Sequence, residues 1–399
     1  MNDPGDTRGL DPGRPETRRL REVALLFLRL GFTSFGGPAA HMALMEDEVV
    51  RRRRWLSRGE FLDLLGAANL IPGPNSTELA IHLGHRRAGW AGLLVAGTCF
   101  ILPAALIVSV AAWAYVRFGS LPSAGGLLYG VKPVIIAVVL QALWGLGRAA
   151  VKTRLLALVG LAAATAHGLG FHELLILLCS GAFMALGYGG RRAMGRDGDG
   201  QAPAGMLAGA PLLLNGLAMG AAGAVPFSLG GLFLFFMKVG SVLFGSGYVL
   251  LAFLRADLVE RWGWLTEAQL LDAVAVGQVT PGPVFTTATF IGYLLAGPLG
   301  AGVATVGIFL PAFFFVAVSG PLVPRLRRSG LAGAVLDGIN VASLALMATV
   351  TWQLGRAALV DAWTVGLALL SAVLLLRFRL NSAWLVLGGS LAGILLWTW

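Results

Sequence analysis

Long apolar runs alternate with short arginine-rich segments along the whole chain. A helix needs about 20 apolar residues to cross a membrane, and several runs approach that length. Full crossings are predicted near 91–117, 124–148, 154–170, 171–187, 205–225, 298–320, 330–354, 361–377 and 380–398. Four other apolar runs carry Gly at their middle, together with Pro in three of them, where a membrane helix would break. Broken backbone is tolerated in a membrane only where protein or a watery cavity surrounds it, so these four breaks predict a cavity.

The two halves of the chain repeat one pattern of Gly, Pro and Trp. Residues 22–188 align with residues 231–396 at an offset of 209, which becomes 208 after a one-residue slip near position 80. At this offset the Pro-Gly-Pro motif at 72–74 falls on the Pro-Gly-Pro motif at 281–283. In a chain this apolar, two long copies of one unit predict a secondary transporter whose site lies between the repeats, near the middle of the membrane.

The arginine clusters predict how these elements are oriented. Clusters within 14–21, 51–58 and 86–87 flank the first two broken runs, and the positive-inside rule assigns all three to the cytoplasm. A segment with both ends on one side must enter the membrane and return, which predicts re-entrant hairpins. The connector at 255–261 is nearly balanced in charge. An extra crossing at 205–225 would therefore invert the second copy.

The expected fold is an all-α polytopic membrane protein with two inverted-topology repeats. Each repeat would contain two re-entrant helical hairpins and about four transmembrane helices. Residues 1–21 would form a cytoplasmic polar tail without the apolar core of a signal peptide, and 22–188 the first repeat. Residues 189–227 would form a polar linker and the extra transmembrane helix, and 228–399 the second repeat. The amino terminus would then be cytoplasmic and the carboxyl terminus outside.

Composition narrows the function classes. With 57% hydrophobic and 13% charged residues, a soluble domain is excluded. The net charge of +10 comes from residues at the ends of apolar segments, so it reads as a topology signal rather than a nucleic-acid surface. Cys99 and Cys179 lie inside apolar runs, which argues against disulfides or a metal framework. Without a Walker motif or a nucleophile–base pair, the chain is expected to be no enzyme and to hold no cofactor or metal.

The half-helices that start at the breaks predict an anion site, because free N–H groups and the positive end of the helix dipole face the cavity. Neutral hydrogen-bonding side chains follow the break at 72–74, and Val284 and Phe285 replace two of them in the second copy. The hairpin tip at 72–74 (the first tip) should therefore make more of the contacts with the anion than the tip at 281–283 (the second tip). The alternative is that these motifs are ordinary kinks and N-caps. The candidate residues are Gly36, Gly37, Pro38, Pro72, Gly73, Pro74, Asn75, Ser76, Thr77, Gly245, Ser246, Pro281, Gly282, Pro283, Thr286 and Thr287.

Buried cations are the second candidate feature. Lys132 lies about 12 Å into an apolar crossing, beside a kinking proline, and its repeat mate is Asn340. A charge there costs about 2.5 to 3.5 kcal/mol, so we expect it to face the cavity or a counter-charge. Arg29 and Lys238 occupy matched positions in the first hairpin of each half. Either could bind an anion, snorkel, or hold a carboxylate.

Acidic residues and histidines within the apolar segments form a third, smaller group of candidates. Glu78 follows the polar run at the first tip, where it could pair with Arg29 or take part in a proton-coupled cycle, and His41 is a second candidate proton site. Asp63 and Asp272 match across the repeats and are expected to cap or tie the second hairpins.

Several motifs together resemble the chromate ion transporter family. They are Phe35-Gly36-Gly37-Pro38, the connector from Glu46 to Trp55-Leu56, Ile71-Pro72-Gly73-Pro74-Asn75, Phe244-Gly245-Ser246-Gly247 and Thr280-Pro281-Gly282-Pro283. The resemblance covers about 22–398, the full two-domain form. It implies chromate efflux across the cytoplasmic (inner) membrane and chromate resistance, with a relation to sulfate left open.

The expected partners follow from this resemblance and from the composition. They are chromate, with sulfate as an alternative, and the lipid bilayer, whereas nucleic acid is not expected. A homodimer is one option for the assembly. A carrier of another small anion, or a channel-like or structural membrane protein, stays open as an alternative function.

Overall fold

A computed structural model describes residues 16–35, 37–119, 122–193, 226–243, 250–319, 329–378, 380 and 382–397. Every regular element in these ranges is helical. The first half contains α1 (Glu16–Thr33), α2 (Gly37–Glu46), a π-helix (Asp47–Arg52), α3 (Arg58–Ala68), α4 (Asn75–Phe118), α5 (Pro122–Ala150), α6 (Arg154–Gly168) and α7 (Glu173–Ala193). The second contains α8 (Leu229–Val242), α9 (Leu250–Phe253), a π-helix (Leu254–Arg261), α10 (Glu267–Val279), a 3-10 turn (Val284–Thr286), α11 (Thr287–Ser319), α12 (Gly330–Ala358), α13 (Ala362–Phe378) and α14 (Ser382–Trp397).

Several predicted features lie outside the described residues. They are Gly36, Gly245 and Ser246 of the predicted tips, residues 1–15 of the predicted tail, and the predicted crossing at 205–225. Within the described ranges, each of α1–α7 has a counterpart among α8–α14 in the same order, and a π-helix precedes the third helix of each half. The offset that aligns the two halves of the sequence therefore also aligns their helices.

The third helix of each half begins with a capping box. In α3, the Ser57 hydroxyl accepts from the Glu60 backbone N–H at 3.2 Å, while the Glu60 carboxylate accepts from the Ser57 N–H at 2.9 Å. Thr266 and Gln269 make the same reciprocal pair at the start of α10. These caps satisfy N–H groups that the first helical turn would otherwise leave without partners. Both helices end just before the Pro-Gly-Pro motifs, because proline cannot continue the helical hydrogen-bond ladder.

The fourth helix of each half folds back on itself. Helix α4 is interrupted at Gly89, with a φ of 63°, and α11 at Gly297, with a φ of 60°. A Cβ added to Gly84 would lie 2.3 Å from the carbonyl oxygen of Gly92, although residues eight apart in a straight helix are separated by about 12 Å. The two arms of α4 therefore pack tightly against each other, and only glycine permits that approach.

Each long helix in the middle of a half packs against the last two helices of the other half. Helix α5 lies against α13 and α14, whereas α12 lies against α6 and α7. A Cβ on Gly130 would lie 1.9 Å from the carbonyl oxygen of Gly389, and one on Gly338 would lie 2.6 Å from that of Ser180. Small residues bring these helix backbones together, as is common between membrane helices. Each half thus packs part of its helices against helices of the other half.

Among the described residues, four helical segments are long and apolar enough to cross a membrane. They are Asn75–Phe118, whose two arms are described above, Gly125–Ala150, Val284–Ser319 and Gly330–Ala358. Shorter apolar helices accompany them. Large apolar side chains on the outer helices are exposed, including Leu186 at 76% and Trp352 at 73%. Apolar exposure on this scale matches a lipid-facing surface rather than a watery one, so the chain is a multi-pass membrane protein.

Candidate functional site

Two crossed hydrogen bonds join the helix breaks of one half to those of the other. The N–H of Gly73 donates to the carbonyl oxygen of Leu243 at 2.6 Å, and the N–H of Gly282 donates to the carbonyl oxygen of Ser34 at 2.9 Å. The four residues are related by the same offset of 209. Each Pro-Gly-Pro turn is therefore held by the residue that follows the first helix of the other half. The breaks predicted from sequence as a shared site lie beside one another.

The geometry of these turns demands glycine. Gly73 has a φ of 137° and Gly282 a φ of 91°, values that side-chain-bearing residues rarely adopt. A Cβ on Gly282 would lie 2.7 Å from the Cβ of Ala104 and 3.2 Å from the carbonyl oxygen of Gly31. The flanking residues Pro74, Pro281 and Pro283 are buried, and Pro72 is partly buried. Close backbone approach and a fixed turn are thus both built into this centre.

The polar groups that follow the first turn are buried and only partly used. Helix α4 starts at Asn75, whose amide donates to the side-chain oxygen of Asn69 at 2.6 Å. Ser76 and Thr77 are 3% and 0% exposed. Among the described residues, the Thr77 hydroxyl has no hydrogen-bond partner. Buried polar groups in folded proteins normally have a hydrogen-bond partner, so this hydroxyl is available to a ligand or a water molecule.

The second turn differs in this respect. Here a 3-10 turn precedes α11, and both threonine hydroxyls donate to the backbone: Thr286 to the carbonyl of Pro283 at 2.8 Å, and Thr287 to that of Val284 at 2.9 Å. Val284 and Phe285 are apolar and buried. The hydrogen-bonding capacity expected from sequence at the first tip is therefore not repeated at the second.

The backbone at the first helix break, after α1, is hydrogen-bonded to the Pro-Gly-Pro turn at 281–283. Ser34 follows α1, and its carbonyl oxygen accepts from Gly282 and also from the Nε2–H of His41 at 3.1 Å. His41 is 1% exposed and lies edge-on to Phe100. Gly37 begins α2 with a φ of 78°, and the adjoining Pro38 is partly buried. His41 thus hydrogen-bonds to the backbone at the first helix break.

Glu78 is the most isolated acidic group of the described residues near the turns. It is 0% exposed, and neither carboxyl oxygen has a hydrogen-bond partner in the described ranges. The carboxyl group lies against Gly73, where an added Cβ would meet it at 2.2 Å. One turn later, His82 is 6% exposed and its Nε2 also lacks a partner in this part of the structure. Glu78 does not contact Arg29, which pairs with Glu48. The predicted pairing of Glu78 with Arg29 is therefore not formed.

The two matched cations instead hold matched carboxylates. Arg29 pairs with Glu48, and Lys238 lies 2.6 Å from Asp257. Glu48 and Asp257 are themselves related by the offset of 209. Each pair joins the first helix of a half to its π-helix, and the carboxylates are 7% and 5% exposed. Of the three roles predicted for Arg29 and Lys238, both residues have the same one in the structure, which is pairing with a carboxylate.

Lys132 participates in a polar network between the halves. Its Nζ lies 3.1 Å from Oδ1 of Asp272, and the Tyr115 hydroxyl donates to Oδ2 of the same carboxylate at 2.9 Å. The lysine comes from α5, the tyrosine from α4 and the aspartate from α10 of the other half. The sequence predicts that Lys132 faces a cavity or a counter-charge, and the structure has the counter-charge. It predicts that Asp272 caps or ties its hairpin, but it does not mark Tyr115 as a partner. The signal in the sequence was an acidic residue close to an apolar run in each half, and the structure shows that Asp272 is buried and Asp63 is exposed.

The arrangement suits a small anion. The helix starts and the buried Thr77 hydroxyl could supply donors, while the glycines let the backbone approach closely. The positive charge of Lys132 is balanced by Asp272 in this structure. Asp272 is seven residues before the end of α10, so the Lys132–Asp272 pair lies about 10 Å along that helix from the second turn.

Comparison with known proteins gives one consistent result. The family described as Chromate transporter matches residues 21–186 and 230–394. The chromate transport protein of Cupriavidus metallidurans is 32% identical over 381 residues, covering 95% of this chain and 93% of that protein. The probable chromate transport protein of Synechococcus elongatus is 32% identical over 383 residues, covering 95% and 96%. The chromate transport protein of Pseudomonas aeruginosa is 32% identical over 381 residues, covering 92% and 90%. No solved structure matches the chain.

Proposed function

The chain belongs to the chromate transporter family, and from this premise we propose that it is a secondary carrier exporting chromate across the cytoplasmic (inner) membrane. Export would keep the oxyanion away from the cell interior and confer chromate resistance. The observation that carries the proposal is the pair of crossed hydrogen bonds, Gly73 to Leu243 and Gly282 to Ser34, which bring helix breaks of both halves to one centre. Chromate is proposed as the substrate because the relatives are named as chromate transport proteins.

The proposed architecture is a pair of inverted repeats, 22–188 and 228–399, each with two re-entrant hairpins. Support comes from the matched order of helices and from the arginine clusters near 51–58 and 86–87. The connecting region 189–227 would include one extra crossing, so that the amino terminus is cytoplasmic and the carboxyl terminus outside. Alternating access would come from rocking one repeat against the other around the crossed turns.

The proposed anion site lies at the helix starts. Backbone N–H groups at the helix starts near 36–38 and 72–78 would donate to the oxyanion, with the Thr77 hydroxyl as an added donor. The prolines have no N–H, and the N–H of Gly73 already donates to Leu243, so neither contributes. Lys132 would offset part of the dianion's charge on its way to or from this site. Arg29 and Lys238 already hold carboxylates, so their proposed role is to fix the hairpin arms rather than to bind the anion directly.

The energetics of this function need no second ion. Moving one charge through 100 mV is worth about 2.3 kcal/mol, and export of a dianion from a negative-inside cell runs downhill. Glu78 and His41 remain the proposed proton sites if coupling exists. A dianion at the first tip would be repelled by an ionised Glu78, so a negative charge on this carboxyl would oppose anion binding.

The runner-up is a carrier for sulfate or an organic acid, because sulfate and chromate are both tetrahedral dianions. A channel-like protein is the third option. Expression in chromate-sensitive cells tests the proposal: cells with the wild-type chain should accumulate less labelled chromate than cells with an empty vector. Excess internal sulfate would reduce that export if the two anions share the site. Unchanged chromate accumulation, with altered sulfate content, would support the runner-up instead.

A further inference from the structure

We propose that Asp272 is an internal competitor of the transported anion for Lys132, and that its return to Lys132 drives release of the anion on the outer side of the membrane. This inference rests on the proposed function. It assigns a role in transport to a carboxylate that would otherwise be regarded as a structural tie.

The geometry makes the competition direct. Lys132 is 21% exposed and Asp272 is 3% exposed, with 3.1 Å between Nζ and Oδ1. Asp272 is the carboxylate found within ion-pair distance of Lys132 in the described part of the chain. A dianion that approached Lys132 while Asp272 stayed ionised and in place would meet a like charge, and in a low-dielectric site that repulsion is strong. Anion binding at Lys132 and the Lys132–Asp272 pair therefore exclude each other.

The second oxygen of Asp272 has its own partner. The Tyr115 hydroxyl donates to Oδ2 at 2.9 Å, so the carboxylate keeps a hydrogen bond when Lys132 moves away. Without that donor, displacement by the anion would leave a buried carboxylate with no partner, at a cost that would oppose anion binding. Tyr115 thus makes the displaced state of Asp272 accessible.

All three residues belong to one side of the proposed centre. Tyr115 lies three residues before the end of α4 at Phe118, and Lys132 lies near the first third of α5. Asp272 lies in the first half of α10, before its turn. In the proposed topology the end of α4 and the starts of α5 and α10 are all at the outer surface, so the network lies between the tips and the outside.

The cation of the Lys132–Asp272 pair is not repeated in the second half of the sequence. The positions matched to Lys132 and Asp272 are Asn340 and Asp63, so the cation has no counterpart in the second half. An anion arriving from the cytoplasm would therefore reach the tips without meeting such a competitor, and would encounter it only on leaving. That asymmetry suits an exporter, because the competitor would act at the step where the anion is released.

The test compares Asp272→Asn with Asp63→Asn, the matched change at an exposed carboxylate. Purified protein is titrated with labelled chromate, and turnover is measured in proteoliposomes. Asp272→Asn should bind chromate roughly tenfold more tightly, within the usual range of coupling between sites, and should turn over more slowly because release is impaired. Chromate should also raise its melting temperature more than that of the wild type. Asp63→Asn should behave as the wild type.

A structural tie would give other results. If Asp272→Asn binds chromate with unchanged or weaker affinity while the wild type transports chromate, the inference is overturned and the proposed function survives. If the wild type itself transports no chromate, the proposed function fails first. Should Asp272→Asn not fold, Tyr115→Phe gives a second test. Competition predicts weaker chromate binding by Tyr115→Phe, because the carboxylate displaced from Lys132 would lose its remaining donor, whereas a structural tie that never leaves Lys132 predicts wild-type affinity.

Discussion

Gly73 donates its backbone N–H to the carbonyl oxygen of Leu243 at 2.6 Å, across the boundary between the two halves of the chain. The matched bond from Gly282 to Ser34 repeats this contact in the opposite sense. If one half rocks against the other during transport, these two bonds lie where the movement must be accommodated. Substitutions at the turns should therefore affect transport more than they affect insertion of the protein into the membrane.

Gly282→Ala should abolish chromate transport and lower the melting temperature. The new Cβ would lie 2.7 Å from the Cβ of Ala104, in a backbone conformation that costs about 1–3 kcal/mol for other residues. Gly302→Ala in α11 is the matched control, because a Cβ there meets nothing within 4 Å. Transport assays and thermal melts of both variants check this. Wild-type transport by Gly282→Ala would show that the tight turn is dispensable.

Lys132→Gln should reduce chromate flux by at least about tenfold, since it removes the cation on the approach and leaves the buried Asp272 unpaired. Lys152→Gln is the control, because that lysine is 58% exposed and pairs with Asp337 near the end of a helix. Initial rates in proteoliposomes, corrected for inserted protein, provide the comparison. A correctly inserted Lys132→Gln variant that transports at the wild-type rate would remove this lysine from the account.

Thr77→Val should raise the chromate KM several-fold, because the hydroxyl is buried and has no partner among the described residues. A hydrogen bond to a charged group contributes roughly 1.5–3 kcal/mol. Thr286→Val, at the matched position, should raise KM less, since its hydroxyl already donates to Pro283. Equal effects of the two substitutions on KM would contradict the proposed asymmetry of the tips.

Glu78→Gln should fold at least as stably as the wild type and keep its potential-driven chromate flux. The buried carboxyl group has neither a cation nor a hydrogen-bond donor in the described ranges, so an uncharged amide of the same shape should be accepted. Thermal melts and flux at a fixed imposed potential test this. A large loss of potential-driven flux in a well-folded Glu78→Gln protein would mean that the charge or proton of Glu78 is required.

The helix breaks are the part of the fold that sequence predicts well. Proline and glycine act locally: the motif at 72–74 ends one helix and starts the next whatever surrounds it. The repeated motif at 281–283 then carries the same prediction to the second half. The short π-helices at 47–52 and 254–261 were not predicted, because periodicity over so few residues does not distinguish them from α-helix.

Pairing between distant side chains is the part that sequence does not predict. Lys132 and Asp272 lie in different halves, and their contact depends on how α5 and α10 pack. The preference of Arg29 for Glu48 over Glu78 likewise depends on how the chain passes through the π-helix. Composition and spacing identify the charges that need partners, but only the packed helices determine the partners.

Labelled chromate flux through the purified wild-type chain in proteoliposomes, under an imposed membrane potential, is the most direct test of a chromate carrier. Such a carrier should show saturable flux that increases with a potential favouring anion movement and that shows counterflow with unlabelled chromate. Flux that is absent, or that neither saturates nor shows counterflow, would contradict a chromate carrier built on the crossed turns.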